Sequence, residues 1–132
     1  GTPDIAGAIG LAAAIDYLEA IGLQNIEQHG LELAQHALNR LSTIEGLRIL
    51  GPQTGPRGSL VSFHCDFAHP HDIVEWANTY GIAMRGGHHC TQPLMKRFKV
   101  PGSTRASFYL YNTTQEIDRL AEVLDSARRF FS

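Results

Sequence analysis

The stretch from Ile5 to Leu23 limits what this chain can fold into more than any other segment. It is almost entirely Ala, Ile, Leu and Gly, with Asp16 and Glu19 as its only charges. Pro3 and Asp4 suit the first turn of a helix, one by its fixed φ and the other by its charge at the positive end. A helix of this composition is apolar nearly all round, so it is expected to lie against protein on more sides than an amphipathic helix does. The segment from about Asn25 to Leu41 is different. Ile26, Leu33, Ala34, Ala37, Leu38 and Leu41 form one stripe, while Glu27, Gln28, Gln35, His36 and Arg40 occupy the opposite, solvated face.

The rest of the chain alternates short strands with helices. Leu47–Leu50 reads as a strand stopped by Gly51-Pro52, and Gln53–Gly58 as a loop. In Leu60–Cys65 the residues Val61, Phe63 and Cys65 share one face. His69-Pro70-His71-Asp72 marks a helix start, and Gly81 is placed to end that helix in the left-handed conformation. Ile82–Arg85 is expected to be a strand, Leu94–Phe98 a single helical turn, and Thr104–Tyr111 a strand. Thr113 and Glu116 have capping-box spacing ahead of a terminal amphipathic helix. The expected fold is α+β: a small, mostly antiparallel sheet with helices packed on one face, making one domain over residues 1–132.

A chain of 132 residues, 43% hydrophobic and 18% charged, has the make-up of an ordinary folded domain. Its net charge of -2, with signs interspersed, offers nucleic acid or an anionic membrane no electrostatic footing. No apolar run approaches the roughly 18–20 residues of a membrane span. Cys65 and Cys90 sit in unlike contexts and suggest no disulfide framework, so a cytoplasmic location is expected. Because the chain opens on Gly1-Thr2-Pro3-Asp4, without a Met, and runs straight into a helix, it is expected to be part of a longer protein. Residues 1–23 would then be the helix joining it to a larger domain.

The segment Arg85-Gly86-Gly87-His88-His89-Cys90-Thr91-Gln92-Pro93-Leu94-Met95 carries the chemistry. Two glycines, two histidines and Gln92 would make a poor core, whereas flexible backbone and cationic neighbours favour a thiolate at Cys90. Cys65, in contrast, continues an apolar strand face and reads as structural. The seven histidines fit no standard zinc spacing. Arg105 stands on the polar face of an alternating strand, as either a rim salt-bridge partner or a bidentate carboxylate holder. Arg85 would either lower the thiol pKa or hold an anion.

These residues carry a resemblance. Arg85-x-Gly-His-His-Cys-x-Gln-Pro-Leu-Met, Val100-Pro101, Arg105-Ala106-Ser107 and Tyr111-Asn112-Thr113-x-x-Glu116-Ile117-Asp118 closely resemble the C-terminal part of group II, SufS-like cysteine desulfurases. These are fold-type I enzymes of the class V aminotransferase family. The resemblance spans essentially the whole chain and about the last third of such an enzyme. It implies a homodimer dependent on pyridoxal 5'-phosphate that converts L-cysteine to L-alanine and a protein persulfide for iron-sulfur cluster assembly. By the same resemblance Cys90 is the nucleophile, Arg105 holds the substrate carboxylate and Arg85 is a second loop arginine. Thr2 is the residue that reaches the cofactor phosphate of the other subunit. The short loop resembles that of enzymes served by a sulfur acceptor of SufE or SufU type. The only lysines are Lys96 and Lys99, neither in the family's Schiff-base motif, so the chain alone is expected to be inactive. A selenocysteine lyase domain, a His/Cys metal- or sulfur-carrying module and a purely structural dimerisation domain are the competing readings.

Overall fold

Alternation of apolar residues along the strands decides which way the sheet faces. The computed structural model describes residues 1–132. Its elements are α1 (Ile5–Ile21), α2 (Leu23–Leu41), β1 (Leu47–Leu50), β2 (Leu60–Cys65), α3 (Pro70–Thr79), β3 (Arg85–Gly87), α4 (Gln92–Phe98), β4 (Ser103–Ser107) and α5 (Thr114–Phe131). The strands form one sheet in the order β1-β2-β4-β3, with every neighbouring pair antiparallel. Val61, Phe63 and Cys65 of β2, with Ala106 of β4, turn to the face that α2, α3 and α5 cover. Full burial of Phe63 there contributes about 1.5–3 kcal/mol. On the other face, α4 forms a small cluster of its own in which Met95 and Val100 pack with Leu50 of β1.

The helix ends obey local chemistry. Asp4 caps α1 by accepting from Gly7 N at 2.9 Å. Thr113 and Glu116 form the reciprocal capping box at the start of α5. After α3, Gly81 has φ 76° and donates to Asn78 O, while Ile82 donates to Ala77 O, each at 3.0 Å. This is a complete Schellman stop, and a residue with a Cβ would be strained in it. Gly22, at φ 95°, breaks the chain between α1 and α2, which meet at 75°.

Four expectations need correction. The burial expected for α1 is not met within this chain: α1 has no buried residue, and Ile9 and Leu11 are 67% and 62% exposed. The third strand is Arg85–Gly87 rather than Ile82–Arg85, so the ladder is built on the glycines that looked like loop. A Cβ on Gly86 would lie 2.6 Å from Pro70 O and 3.0 Å from Val74 Cγ2. Only glycine lets this edge strand press against α3. The fourth strand stops at Ser107, and Phe108 N instead bonds Ser59 O at 2.8 Å, which turns the chain toward α5. α4 is also longer than the single turn expected, beginning at Gln92.

Replacing Gly86 with Ala should therefore lower the unfolding free energy by about 1–3 kcal/mol, the usual cost of overpacking. Gly10→Ala, with nothing within 4 Å of the added methyl, should be neutral or stabilising by about 1 kcal/mol. Urea denaturation of the two variants beside the parent protein measures both.

Candidate active site

The β3–β4 ladder delivers the glycine–histidine–cysteine segment to one place. Its register pairs Arg85 with Arg105, Gly86 with Thr104 and Gly87 with Ser103. Directly opposite residues on antiparallel strands point to the same side with Cβ atoms roughly 5 Å apart. Two guanidinium groups thus share a side of the sheet, next to Ser62, the partner of Arg105 on β2. Neither arginine forms an ion pair. Arg105 is half-buried, and its Nε is buried with no hydrogen-bond partner. An unsatisfied buried donor costs about 1–3 kcal/mol. A charged one lining a cavity is poised for an anion to supply the acceptor.

Beyond Gly87 (φ 130°) the backbone takes left-handed conformations at two successive non-glycine residues, His89 (φ 51°) and Cys90 (φ 58°). Such positions are uncommon and locally strained. Thr91 stabilises the bend: its N and its Oγ1 both donate to His88 O, at 2.9 and 2.7 Å. His89 Nε2 lies 3.0 Å from Ser103 O. A carbonyl only accepts, so Nε2 carries the proton in that bond. Cys90 is exposed at the loop tip.

Two hollows meet at this loop. The first, about 620 Å³ and open, is lined by His71, Gly86, Gly87, His88, His89, Cys90, Gln92 and Pro93. The second, about 300 Å³, holds Arg105, Ser62, Ser103 and His89 among apolar residues of β1, β2 and α4. His89 is common to both. A third hollow of about 600 Å³, between residues 80–84 and α5, contains neither cysteine nor either of these arginines. It exists because Ile82–Met84 do not pair with β4.

The two cysteines part as their contexts indicated. Burial, with a smaller contribution from Asp66, pushes the Cys65 thiol up to about 12. Its thiolate is therefore negligible near neutrality, whereas Cys90 stands in the open. The structure brings Cys90, His88, His89 and Arg105 together around β3 and β4. Arg85 joins them only across the ladder, exposed and lining neither of the two hollows. Thr2 is exposed ahead of α1 and lines neither as well. Lys96 and Lys99 are exposed at the end of α4 and stay clear of both. No three His, Cys, Asp or Glu side chains converge to hold a metal ion. His71, read from the sequence only as part of a helix start and among histidines without zinc spacing, has its Nε2 3.5 Å from the position of a Cβ on Gly87. Only the packing of α3 against β3 places it there, and no local pattern announces that.

The family model for class-V aminotransferases matches residues 1–120. The chain belongs to that family. It is 56% identical over 131 residues, 99% of its length, to a probable cysteine desulfurase of Halalkalibacterium halodurans. In structure it is similar to the apo cysteine desulfurase of Thermococcus onnurineus NA1, with a TM-score of 0.94, 37% identity and 98% of this chain covered. The cysteine desulfurase CsdA of Escherichia coli, in an S-sulfonic acid form, gives a TM-score of 0.90 at 36% identity over 100% of this chain. In each case the chain spans about a third of the longer protein, 32%.

Iodoacetamide near neutral pH should label the folded protein once, at Cys90, with Cys65 modified only after unfolding; peptide mass spectrometry reads the sites. The Cys65 shift also sets a pH dependence. Above about 9 the unfolded chain loses a proton that the folded one keeps to about 12, so stability should fall as pH rises through that window.

Proposed function

We propose that this chain is the nucleophile-bearing part of a cysteine desulfurase, which takes sulfur from L-cysteine, releases L-alanine and holds the sulfur as a persulfide on Cys90. One observation carries this reading: an exposed thiol on a bent, glycine-led loop adjoins a cavity in which Arg105 has a buried, unpartnered Nε. The names of the similar proteins support the reaction class.

The residues of this chain account for two parts of such a reaction. Arg105 offers a planar donor fork to the substrate carboxylate from a largely apolar cavity, where a charge-assisted pair is strong. Arg85, opposite it on β3 but outside the cavity, adds positive field on the same side of the sheet. Cys90, as thiolate, attacks the substrate sulfur. A sulfur–sulfur bond forms and the substrate carbon–sulfur bond breaks. The released electron pair stays with carbon, which takes up a proton to become the methyl group of alanine. L-cysteine plus a thiol thus gives L-alanine plus a persulfide, with no external oxidant.

The carbon–sulfur cleavage calls for pyridoxal 5'-phosphate, which supplies an electron sink when bound. The hollows around Cys90 and Arg105 contain no lysine to hold its aldehyde carbon and no carboxylate to face its ring nitrogen. The residues present fit the substrate and the sulfur, so in this reading the cofactor is held by a larger domain of a longer, SufS-like protein. Residues 1–132 form its C-terminal domain, with 1–23 as the joining helix. The uncovered apolar surface of α1 supports that placement. Thr2 would hold the cofactor phosphate of the other subunit in a homodimer, and an acceptor of SufE or SufU type would take the sulfur toward iron-sulfur cluster assembly in the cytoplasm. The isolated domain is inactive.

In the full-length protein, Cys90→Ala should abolish persulfide transfer while leaving cofactor absorbance intact. Arg105→Lys, which replaces the fork by a point charge, should raise KM for L-cysteine by about 10- to 100-fold. Sulfur transfer by Cys90→Ala at the parent rate would exclude the assignment.

A further inference from the structure

We propose that His89 is the positioning residue of the Cys90 loop: its bond to Ser103 O sets how far the thiol reaches toward a substrate held at Arg105. The proposal rests on the function proposed above and adds to it a residue with a defined role. Three observations carry it.

First, His89 ties the loop to the sheet through its side chain. Its Nε2–H donates to Ser103 O at 3.0 Å, and Ser103 is 2% exposed on β4, opposite Gly87. The anchor is therefore a buried point of the ladder, two positions before Arg105 on the same strand. Cys90 and Arg105 are measured from one piece of backbone. Second, His89 is half-buried and lines both hollows, the open one with Cys90 and the smaller one with Arg105. It is the one residue common to the hollow of the nucleophile and the hollow of the anion holder. His88, by contrast, is exposed, lines only the open hollow, and has no side-chain hydrogen bond. Third, the backbone at His89 and Cys90 is held at φ 51° and φ 58°, a conformation that non-glycine residues leave unless something over-determines it. Thr91 fastens the C-terminal side of the bend and the His89 clip fastens the other.

Reach matters here because nucleophile and substrate sulfur have to meet in line. A displacement of about 1 Å costs on the order of 100-fold in rate. Losing the clip leaves the thiol intact and exposed but lets the loop relax away from the Arg105 side.

The test uses the full-length protein with four substitutions. His89→Ala removes the donor. His89→Asn keeps a residue tolerant of left-handed backbone but shortens the reach, which separates backbone strain from the bond. His89→Gln restores an N–H at about the distance of Nε2. Lys96→Ala, exposed on α4 and outside both hollows, is the control. Alanine release is measured as a function of L-cysteine concentration, and hydrogen exchange at the Thr91 amide is measured in the resting protein.

His89→Ala and His89→Asn should lower kcat by about 10- to 100-fold with KM within a factor of about two, while Thr91 exchange speeds up about tenfold. His89→Gln should recover much of both, and Lys96→Ala should match the parent. An Asn variant with parent kcat overturns the proposal, as does a Gln variant as slow as Ala, or faster exchange with unchanged kcat. Cys90→Ser assayed alongside keeps the two readings apart. If it still transfers sulfur, the proposed function fails, while the exchange data on His89 stand by themselves.

Discussion

The three-residue pairing of β3 with β4 is the contact on which the rest of this molecule depends. Arg85–Gly87 is short, glycine-rich and at the sheet edge, and its own propensity for a strand is poor. Close packing holds it. Gly86 sits so near Pro70 O that no side chain fits, and Gly102 is in turn packed against Gly87 O. The approach of α3 fixes β3 on β4, and that register sets Arg85 opposite Arg105 and Gly87 opposite Ser103. A slip of one residue would turn Arg85 to the other side of the sheet. The core under β2 and β4 serves this arrangement by making the receiving strand rigid.

Charge and burial are distributed unevenly over the two faces of the sheet. The helical face has a core of 16 residues and buries the Cys65 thiol. The other face leaves an arginine donor without a protein partner and a second thiol in the open. Elsewhere, Arg57 also has a buried Nη1 without a partner, although its Nη2 donates to Pro52 O at 2.6 Å, and two carboxylates are satisfied locally. The backbone N–H of Thr113 and the side chain of Asn112 hold the Glu116 carboxyl below its usual range, and His36 and Arg40 do the same for Asp118. Of the two buried, unpartnered arginine nitrogens, the one on Arg105 belongs to the hollow that shares His89 with the hollow of Cys90.

How much of this was legible in the sequence depended on how local its cause was. The α2 stripe, the α5 capping box, the Gly81 stop and the inward face of Val61, Phe63 and Cys65 all follow from spacing, and the structure contains each. That Cys90 lies outside the core was legible because its neighbours make a poor core, and the structure leaves it exposed. The misplaced third strand came from taking Gly86 and Gly87 as loop, whereas they are demanded by α3, a contact that no local rule reveals. The end of β4 was missed for the same reason, since Ser59 claims the Phe108 amide from a distance. The position of His71 beside Gly87 and the bond from His89 to Ser103 were invisible, because both depend on the ladder register. For α1, composition called for cover that this chain by itself does not supply.

Cys90 is the residue proposed to receive the sulfur. The direct measurement is intact-peptide mass spectrometry of the full-length protein after a single turnover with L-cysteine, quenched by alkylation before any acceptor is added. One extra sulfur atom on the peptide containing Cys90, matched by one alanine released, is the predicted result. An extra sulfur on a different cysteine, or alanine released with Cys90 unmodified, would contradict it.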